Sequence, residues 1–286
     1  MAFTKIQEYI NTDDGTAGTL LIPKLIMPTL IDEVQKALLP REIAAVVLSG
    51  FPGSSTDFNL ETPNTLLVRQ VGEGAEVPLD AEEFTNITFT PIKYGVAIRI
   101  TREMMEDSQF ELLQRNIRTA GRRFAENETK LILTQLDLAN ATTVGGAAIT
   151  IANITESMQD VEDNDFTCTD FIVGNEVVAD LRNIDTFVEA NKVGNTEMLQ
   201  RGFLGTIYGM SVSRFSSAST VVPDSTNSKK RAYVLDRSQA YGIAIKRDIT
   251  VENFDLPTFD MQGAAVTQRI DVKLLRSSAV SRITTT

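Results

Sequence analysis

Residues 71–107 read VGEGAEVPLDAEEFTNITFTPIKYGVAIRITREMMED, and this stretch decides the fold. Its first part, residues 71–83, carries five acidic residues and no basic residue. Such a segment cannot bury enough apolar surface to pack, so its composition predicts a mobile projecting loop. Within residues 94–101, apolar side chains alternate with small or polar ones, which predicts a strand that buries one face.

A long helical pattern follows that strand. Ser108 and Glu111 have the spacing of a capping box, which satisfies backbone N–H groups at the start of a helix. The pattern then runs over residues 109–138 without a proline, and at the usual helical rise this predicts a helix about 45 Å long. One apolar stripe marks the face that the helix should bury: Leu113, Ile117, Ala120, Phe124, Leu131 and Leu138.

The middle of the chain contains shorter elements. Residues 171–174 predict a strand that enters a helix over 176–184, and residues 202–215 predict a strand pair punctuated by glycine. Residues 232–236 have the apolar character of a central strand.

Strand patterns also flank this middle region. Residues 58–60 and 66–68 form two short strand-like runs before the acidic loop. Residues 84–101 and 264–284 carry alternating patterns on either side of everything else. Together they predict a discontinuous domain into which a second domain is inserted.

Composition excludes several classes of function. The chain has 286 residues, of which 42% are hydrophobic and 23% charged, so it can form about two globular domains. A formal charge of −11 argues against a protein that binds nucleic acid by neutralising phosphates. The sequence contains neither an apolar run long enough to span a membrane nor a signal-peptide core, so we expect a soluble protein without membrane contact.

The absence of histidine narrows the chemistry further, because it removes the usual nucleophilic triads and zinc sites. The single cysteine, Cys168, has no basic neighbour to activate it, which favours a small buried side chain. The acidic run over residues 160–165 lacks the glycine of a calcium loop, so a solvated charge run is favoured over a cation site. Carboxylate, lysine and tyrosine chemistry stays open, including a soluble enzyme that uses carboxylate pairs, but we expect no catalytic, cofactor or metal site, and no enzyme.

Several short motifs, none sufficient alone, occur in an order that is specific when they are taken together. The motifs are GEGAEVP at 72–78, KYG at 93–95 before ITRE at 100–103, DS at 107–108, VLDRSQAY at 234–241 and GAAVTQRID at 263–271. Their joint order from about Leu20 to the end resembles the major capsid proteins of tailed phages and tailed archaeal viruses, which share the Hong Kong 97-like fold.

The resemblance implies an α+β fold built from an N-terminal arm, an extended β-hairpin loop, a long spine helix, a peripheral domain and an inserted axial domain. The implied boundaries are an arm at 1–30, a connection with a short helix at 31–54, the extended loop at 55–90, the peripheral domain with the spine helix at 91–143, the axial domain at 144–240 and a return to the peripheral domain at 241–286.

The resemblance also implies a function. Family members self-assemble into hexamers and pentamers of an icosahedral head that encloses double-stranded DNA, which they hold by confinement. Implied partners are a portal, a scaffold or protease, and decoration proteins, and the implied location is the virion after assembly in the host cytoplasm. The alternative is an encapsulin-like nanocompartment that encloses an enzyme cargo.

Two departures from the family pattern bear on mechanism. Some members cross-link their shells through a lysine of the extended loop, but this chain has no lysine between Lys36 and Lys93. We therefore expect a shell held by noncovalent contacts. The capsid pattern starts within about 20 residues of Met1, so we expect a separate scaffold protein or none.

Two sets of residues are candidates for contacts between subunits. We hypothesise that acids of the loop pair with arginines of the next subunit, and that apolar residues of the arm dock on a neighbour. The alternatives are a solvated loop with ordinary pairs inside the helix, such as Glu111 with Arg115, and a disordered arm. The candidates are Glu73, Glu76, Glu82 and Glu83 on the loop, Arg99, Arg102, Arg115, Arg118 and Arg122 on the strand and helix, and Phe3, Ile6 and Tyr9 on the arm.

Overall fold

The computed structural model describes residues 41–62, 68–77, 79–101, 103, 111–144, 148–184, 206–215 and 230–285. The arm at 1–30, the short helix expected before Pro40 and the capping residue Ser108 lie outside these ranges. The helices are α1 (Glu111–Leu136), α2 (Ile151–Glu162) and α3 (Asn175–Arg182). The strands are β1 (Val46–Ser49), β2 (Thr56–Glu61), β3 (Phe84–Phe89), β4 (Ile92–Thr101), β5 (Asn140–Val144), β6 (Asp170–Gly174), β7 (Thr206–Ile207), β8 (Met210–Phe215), β9 (Arg231–Leu235), β10 (Tyr241–Leu256), β11 (Met261–Leu274) and β12 (Val280–Thr285).

A four-stranded sheet has the order β1-β10-β11-β4. Strands β10 and β11 form a long antiparallel hairpin, and β11 pairs with β4 along the whole length of β4. The strand predicted over residues 94–101 is therefore confirmed. Its burial is less complete than expected, because Tyr94 and Ile98 are half-buried and Val96 is exposed. As the edge strand of the sheet, β4 has a neighbouring strand on only one side.

A six-stranded sheet has the order β5-β12-β9-β6-β8-β7. Strand β9 lies in its interior and is buried at every residue, as predicted for residues 232–236. The predicted strand that enters a helix is confirmed as β6 followed by α3, and the predicted strand pair appears as β7 and β8. Helices α2 and α3 contribute apolar side chains to the core on one face of this sheet.

The last strand, β12, lies in a different sheet from β10 and β11. The sequence assigned residues 241–286 to the return of the peripheral domain, and β11 does pair with β4 there. Strand β12 instead lies in the six-stranded sheet, between β5 and β9. Alternation predicts a strand but does not identify its partners, because backbone hydrogen bonds are the same in either sheet.

Helix α1 connects the two sheets. Ala120 and Phe124 are buried as predicted, and they pack against the four-stranded sheet. The prediction was wrong for Leu138, which lies beyond the end of the helix and is 66% exposed. In its second half the helix is buried on a broader face, through Ile132 and Leu133, because side chains of both sheets contribute to the same core there.

The hairpin is formed by β2 and β3, which among the described strands pair only with each other. Its register runs from Thr56 opposite Phe89 to Glu61 opposite Phe84. The second strand-like run, predicted at residues 66–68, is not a strand at Val68, which is irregular and exposed. Leu66 lies outside the described residues.

The contact between β4, β10 and β11 depends on a residue without a side chain, Gly263. A Cβ atom at this position would lie 2.4 Å from the carbonyl oxygen of Ile98 and 2.5 Å from Cζ of Phe254. Since the first of these atoms belongs to the backbone, the strands would have to move apart. We expect Gly263→Val to lower the free energy of unfolding by about 1–3 kcal/mol or more, measured by urea denaturation.

Gly72 supplies the control for that substitution. No atom lies within 4 Å of a Cβ built at Gly72, and its φ is not in the left-handed region. We expect Gly72→Ala to change stability by less than about 0.5 kcal/mol. Equal effects at both glycines would contradict the close approach at Gly263.

Candidate interaction surface

The acidic loop joins the outer ends of β2 and β3. Where the structure describes it, the loop is irregular and largely exposed, with one turn in which the Ala75 amide donates to the Gly72 carbonyl at 3.1 Å. Gly74 has a φ of +77°, which a glycine adopts without strain. The predicted candidates Glu73, Glu76, Glu82 and Glu83 are all exposed.

Two acids of this segment have partners within the same chain. Asp80 accepts a hydrogen bond from Arg69 at 3.2 Å. Arg69 lies just before residues 71–83, the segment that defines the acidic loop. The pKa of Glu82 is raised, chiefly by a hydrogen bond with the carboxyl group of Glu61 and then by repulsion between the two charges. The register of β2 and β3 brings Glu61 beside Glu82, so only the strand pairing could have identified this contact.

The loop also carries large apolar side chains that the sequence analysis did not use. They lie among the acids, and their clustering within residues 68–84 was the available signal. Grouped exposed apolar side chains typically mark a surface that another molecule covers. The exposed ones are Val68, Val71, Val77, Leu79 and Phe84.

Two of the predicted arginines are described in full. Arg99 lies on the edge strand β4 and is exposed; its neighbour Ile98 packs toward α1, so alternation places Arg99 on the opposite face of the sheet. Arg122 is exposed on α1, and the adjacent Arg123 pairs with Glu126 at 2.7 Å.

The other candidate residues, on the helix, after β4 and on the arm, lie outside the described side chains. The side chains of Arg115 and Arg118 fall outside the described part of α1, and Arg102 lies outside the described residues. The arm residues Phe3, Ile6 and Tyr9 also lie outside them.

Among the candidates whose side chains are described, the fold does not bring acids and arginines together within one chain. Among the side chains that the structure describes, no ion pair joins Glu73, Glu76 or Glu83 to Arg99 or Arg122. In general, oppositely charged surfaces of two proteins steer their association.

One ion pair with a buried carboxylate was not predicted from the sequence, and it joins three parts of the fold. Arg41 donates through Nε and Nη2 to the two carboxylate oxygens of Glu128, at 2.7 and 3.0 Å. Glu128 is 1% exposed and also accepts a hydrogen bond from Gln268 at 3.2 Å. The contact joins the chain before β1 to α1 and β11.

A second internal network surrounds Asp137 at the end of α1. Its carboxylate accepts hydrogen bonds from Arg231, from the Tyr233 hydroxyl at 2.7 Å and from Arg282 at 3.3 Å. Burial, and then the Asp137 charge, raise the pKa of Tyr233, so its hydroxyl remains a donor. The network links α1 to β9 and β12.

Cys168 is half-buried, and its thiol donates to the Met158 carbonyl at 3.7 Å. Burial, followed by the charges of Glu162 and Asp236, raises the pKa of the thiol to about 11. The thiol is therefore protonated at neutral pH, which disfavours nucleophilic chemistry.

The described ranges contain neither a metal-binding cluster nor a membrane-spanning helix. They contain no group of three or more histidine, cysteine, aspartate or glutamate residues placed to hold a metal ion. No helix within them is both long enough and apolar enough to cross a membrane.

Comparison with known proteins gives a family match and a fold match. A model described as the phage capsid family matches residues 18–285. A search of curated proteins returns no match. The structure is similar to a chain from Gordonia phage Cozz, with a TM-score of 0.68 at 13% identity, covering 87% of this chain and 88% of that one.

Two further solved structures are similar at comparable coverage. One is the capsid structure of cyanophage P-SCSP1u, with a TM-score of 0.66 at 11% identity, covering 87% of this chain and 88% of that one. The other is the mature capsid of bacteriophage PhiM1, with a TM-score of 0.66 at 11% identity, covering 85% and 86%. At these identities the likeness shows the fold, and the expected α+β fold of the Hong Kong 97-like type is confirmed.

Proposed function

The chain belongs to the phage capsid family, and we propose that its copies assemble into the hexamers and pentamers of an icosahedral head enclosing double-stranded DNA. The observation that carries this proposal is the match of the family model to residues 18–285, almost the entire chain. The likeness of the fold to solved phage capsid structures supports it. The protein thus belongs in the virion capsid, and we propose that it assembles in the host cytoplasm.

We further propose that the shell is held by noncovalent contacts between the acidic loop of one copy and arginines of the next. Support comes from the exposure of Glu73, Glu76 and Glu83 and from the exposure of Arg99 and Arg122 on other elements. Each exposed ion pair contributes only about 0.2–1 kcal/mol, which keeps assembly reversible. Because the contact is repeated many times in a closed particle, the assembled shell is stable even though each contact is weak.

Charge reversal tests this pairing. In Glu76→Arg, an attraction is lost and a repulsion is added, so we expect about 1 kcal/mol less stabilisation per contact and an assembly concentration about 5-fold higher. Adding Arg99→Glu or Arg122→Glu should restore assembly, and whichever restores it identifies the partner. Light scattering against protein concentration gives the measurement.

Glu156→Arg is the matched control, because Glu156 is equally exposed but lies on α2. We expect it to assemble like the unmodified protein. If Glu76→Arg also assembles normally, and neither arginine reversal has an effect, the loop does not act through its charge. High salt should weaken the contact in the unmodified protein as well.

Electron microscopy of the purified full-length protein and of particles from an infected host tests the function itself. We expect closed shells of uniform size, and particles from the host should contain DNA. Shells that hold an enzyme and no DNA would replace this function with that of an encapsulin-like compartment. A protein that stays monomeric at high concentration would contradict both.

The arm and the further partners complete the proposal. We propose that Phe3, Ile6 and Tyr9 dock on a neighbouring copy, because the segment is too short to form a core of its own. A portal, a scaffold or protease, and decoration proteins would be partners of the shell. DNA would be held by confinement, since the net charge of −11 does not favour phosphate binding.

A further inference from the structure

The base of the β2–β3 hairpin packs through a small set of apolar side chains, here called the base cluster. Within β2 and β3, only Phe89 is buried, and it contacts Ala244 and Leu275. Half-buried residues add to the cluster: Ala45, Leu48, Phe51, Phe58, Leu60 and Ile87. The Thr90 amide, next to Phe89, also donates to the Asp271 carboxylate at 2.8 Å. Apolar contact is non-directional and this hydrogen bond lies at the end of the hairpin about which it would rotate, so together they hold the base but leave the hairpin angle weakly determined.

A polar contact at the other end of β2 supplies a second directional contact. Nη2 of Arg276 donates a hydrogen bond to the carbonyl oxygen of Glu61 at 2.6 Å. The same guanidinium lies over the ring of Phe166, 5.9 Å from its centroid. Phe166 packs against the core beneath α2 and α3. A single side chain therefore links the outer end of the hairpin to the six-stranded sheet.

The backbone that carries this side chain is itself fixed. Arg276 follows Leu275 of the base cluster and precedes the short 3₁₀ helix at Ser277–Ala279. The amides of Leu275 and Arg276 both donate to the carbonyl of Ala240, at 2.9 and 3.4 Å. The guanidinium therefore extends from a fixed connection between the two sheets. This connection lies next to the base of the hairpin, and from it Arg276 reaches the outer end of β2.

We propose that Arg276 is a positioning residue that sets the angle at which the β2–β3 hairpin projects from the body of the subunit. Six strand residues span about 20 Å, so a rotation of about 10° at the base moves the far end by about 3–4 Å. That displacement is as large as the distance over which an ion pair forms. The angle would thus decide whether the acidic loop meets its partner, a consequence that rests on the proposed function.

Distance measurement by double electron–electron resonance tests the positioning in the full-length, unassembled chain. In a Cys168→Ser background, nitroxide labels at Asn59→Cys on β2 and Glu156→Cys on α2 report the hairpin angle, since both positions are exposed. We expect one narrow distance distribution. Arg276→Ala should broaden it and move its mean by about 2 Å, because Asn59 lies three residues, or about 10 Å, from the base of the hairpin.

Two further variants separate positioning from general stability. Arg276→Lys keeps a cation that can donate to the Glu61 carbonyl and lie over Phe166, so it should retain most of the narrow distribution. Phe166→Leu removes the ring but leaves the hydrogen bond, and it should broaden the distribution less than Arg276→Ala. Arg247→Ala is the control, because Arg247 is a half-exposed arginine that pairs with Glu252 on its own strand.

The outcomes are distinct. A wild-type distribution in Arg276→Ala overturns the proposal, and if that variant fails to fold, a wild-type distribution in Arg276→Met, which keeps a long side chain but has no donor for the Glu61 carbonyl, does so. A broadened distribution together with normal, uniform particles keeps the positioning role and removes its consequence for assembly. An unmodified chain that never forms shells overturns the proposed function while leaving the distance result intact.

Discussion

Deleting residues 280–286 is expected to leave a chain that does not reach the native fold. The deletion removes β12, which pairs with β5 on one side and β9 on the other. Strand β5 then has no partner in the sheet order, and β9 loses one of its two neighbours. An interior strand of a sheet cannot be lost without leaving backbone donors and acceptors of both neighbours unpaired.

The energies of the lost contacts support a complete loss of the native fold. Val280 and Ile283 are buried, at 1% and 0% exposure, and each such side chain contributes about 1.5–3 kcal/mol. The backbone hydrogen bonds on both sides of β12 add about 0.5–1.5 kcal/mol each. Their sum is comparable with the total stability of a typical domain, about 5–15 kcal/mol.

Circular dichroism and urea denaturation measure this result. We expect the deleted chain to lack a cooperative transition, and Ile283→Ala to keep one with about 2–5 kcal/mol less stability. Deletion of residues 1–12 is the matched control, since the arm is predicted to act between subunits and should leave folding intact. A wild-type transition in the chain without β12 would contradict its structural role.

Replacing Arg41 with methionine is expected to lower the free energy of unfolding by about 3–5 kcal/mol. The variant leaves the carboxylate of Glu128, 1% exposed, without its counter-charge, whereas Arg41 itself is 26% exposed. The hydrogen bond from Gln268 remains but cannot compensate a buried charge alone. Urea denaturation of the full-length chain, before assembly, gives the measurement.

Helix α1 offers its own control in Arg123→Met. This substitution removes the exposed ion pair with Glu126, three residues along the helix, and should cost only about 0.2–0.5 kcal/mol. The double variant Arg41→Met with Glu128→Leu should recover most of the loss, because no unpaired charge remains. Equal losses in Arg41→Met and Arg123→Met would show that burial does not strengthen the effect.

Local sequence patterns were sufficient to predict much of the fold. The two-residue period predicted β4 and the final strands, and the apolar run predicted β9 as a central strand. The acidic composition predicted an exposed loop between β2 and β3. These predictions succeed because each depends on residues close together in the chain, whose backbone geometry and burial follow from local period and charge.

Other features could be identified only in the folded structure. Leu138 continues the apolar stripe of α1, yet it is exposed because the helix ends before it. Glu61 meets Glu82 only because of the register of β2 and β3. Arg276 reaches Glu61 across a separation of 215 residues, which no spacing in the sequence predicts.

The sequence by itself determined the order of elements, the acidic loop, the long helix and, through the joint order of its motifs, the family. Only the tertiary structure decided which sheet β12 completes, which acid is buried against Arg41 and what fixes the base of the hairpin. The physical reason is that strand pairing and charge burial are non-local. A backbone edge accepts any strand, and a carboxylate is stabilised in the interior only by the partner that the fold brings to it.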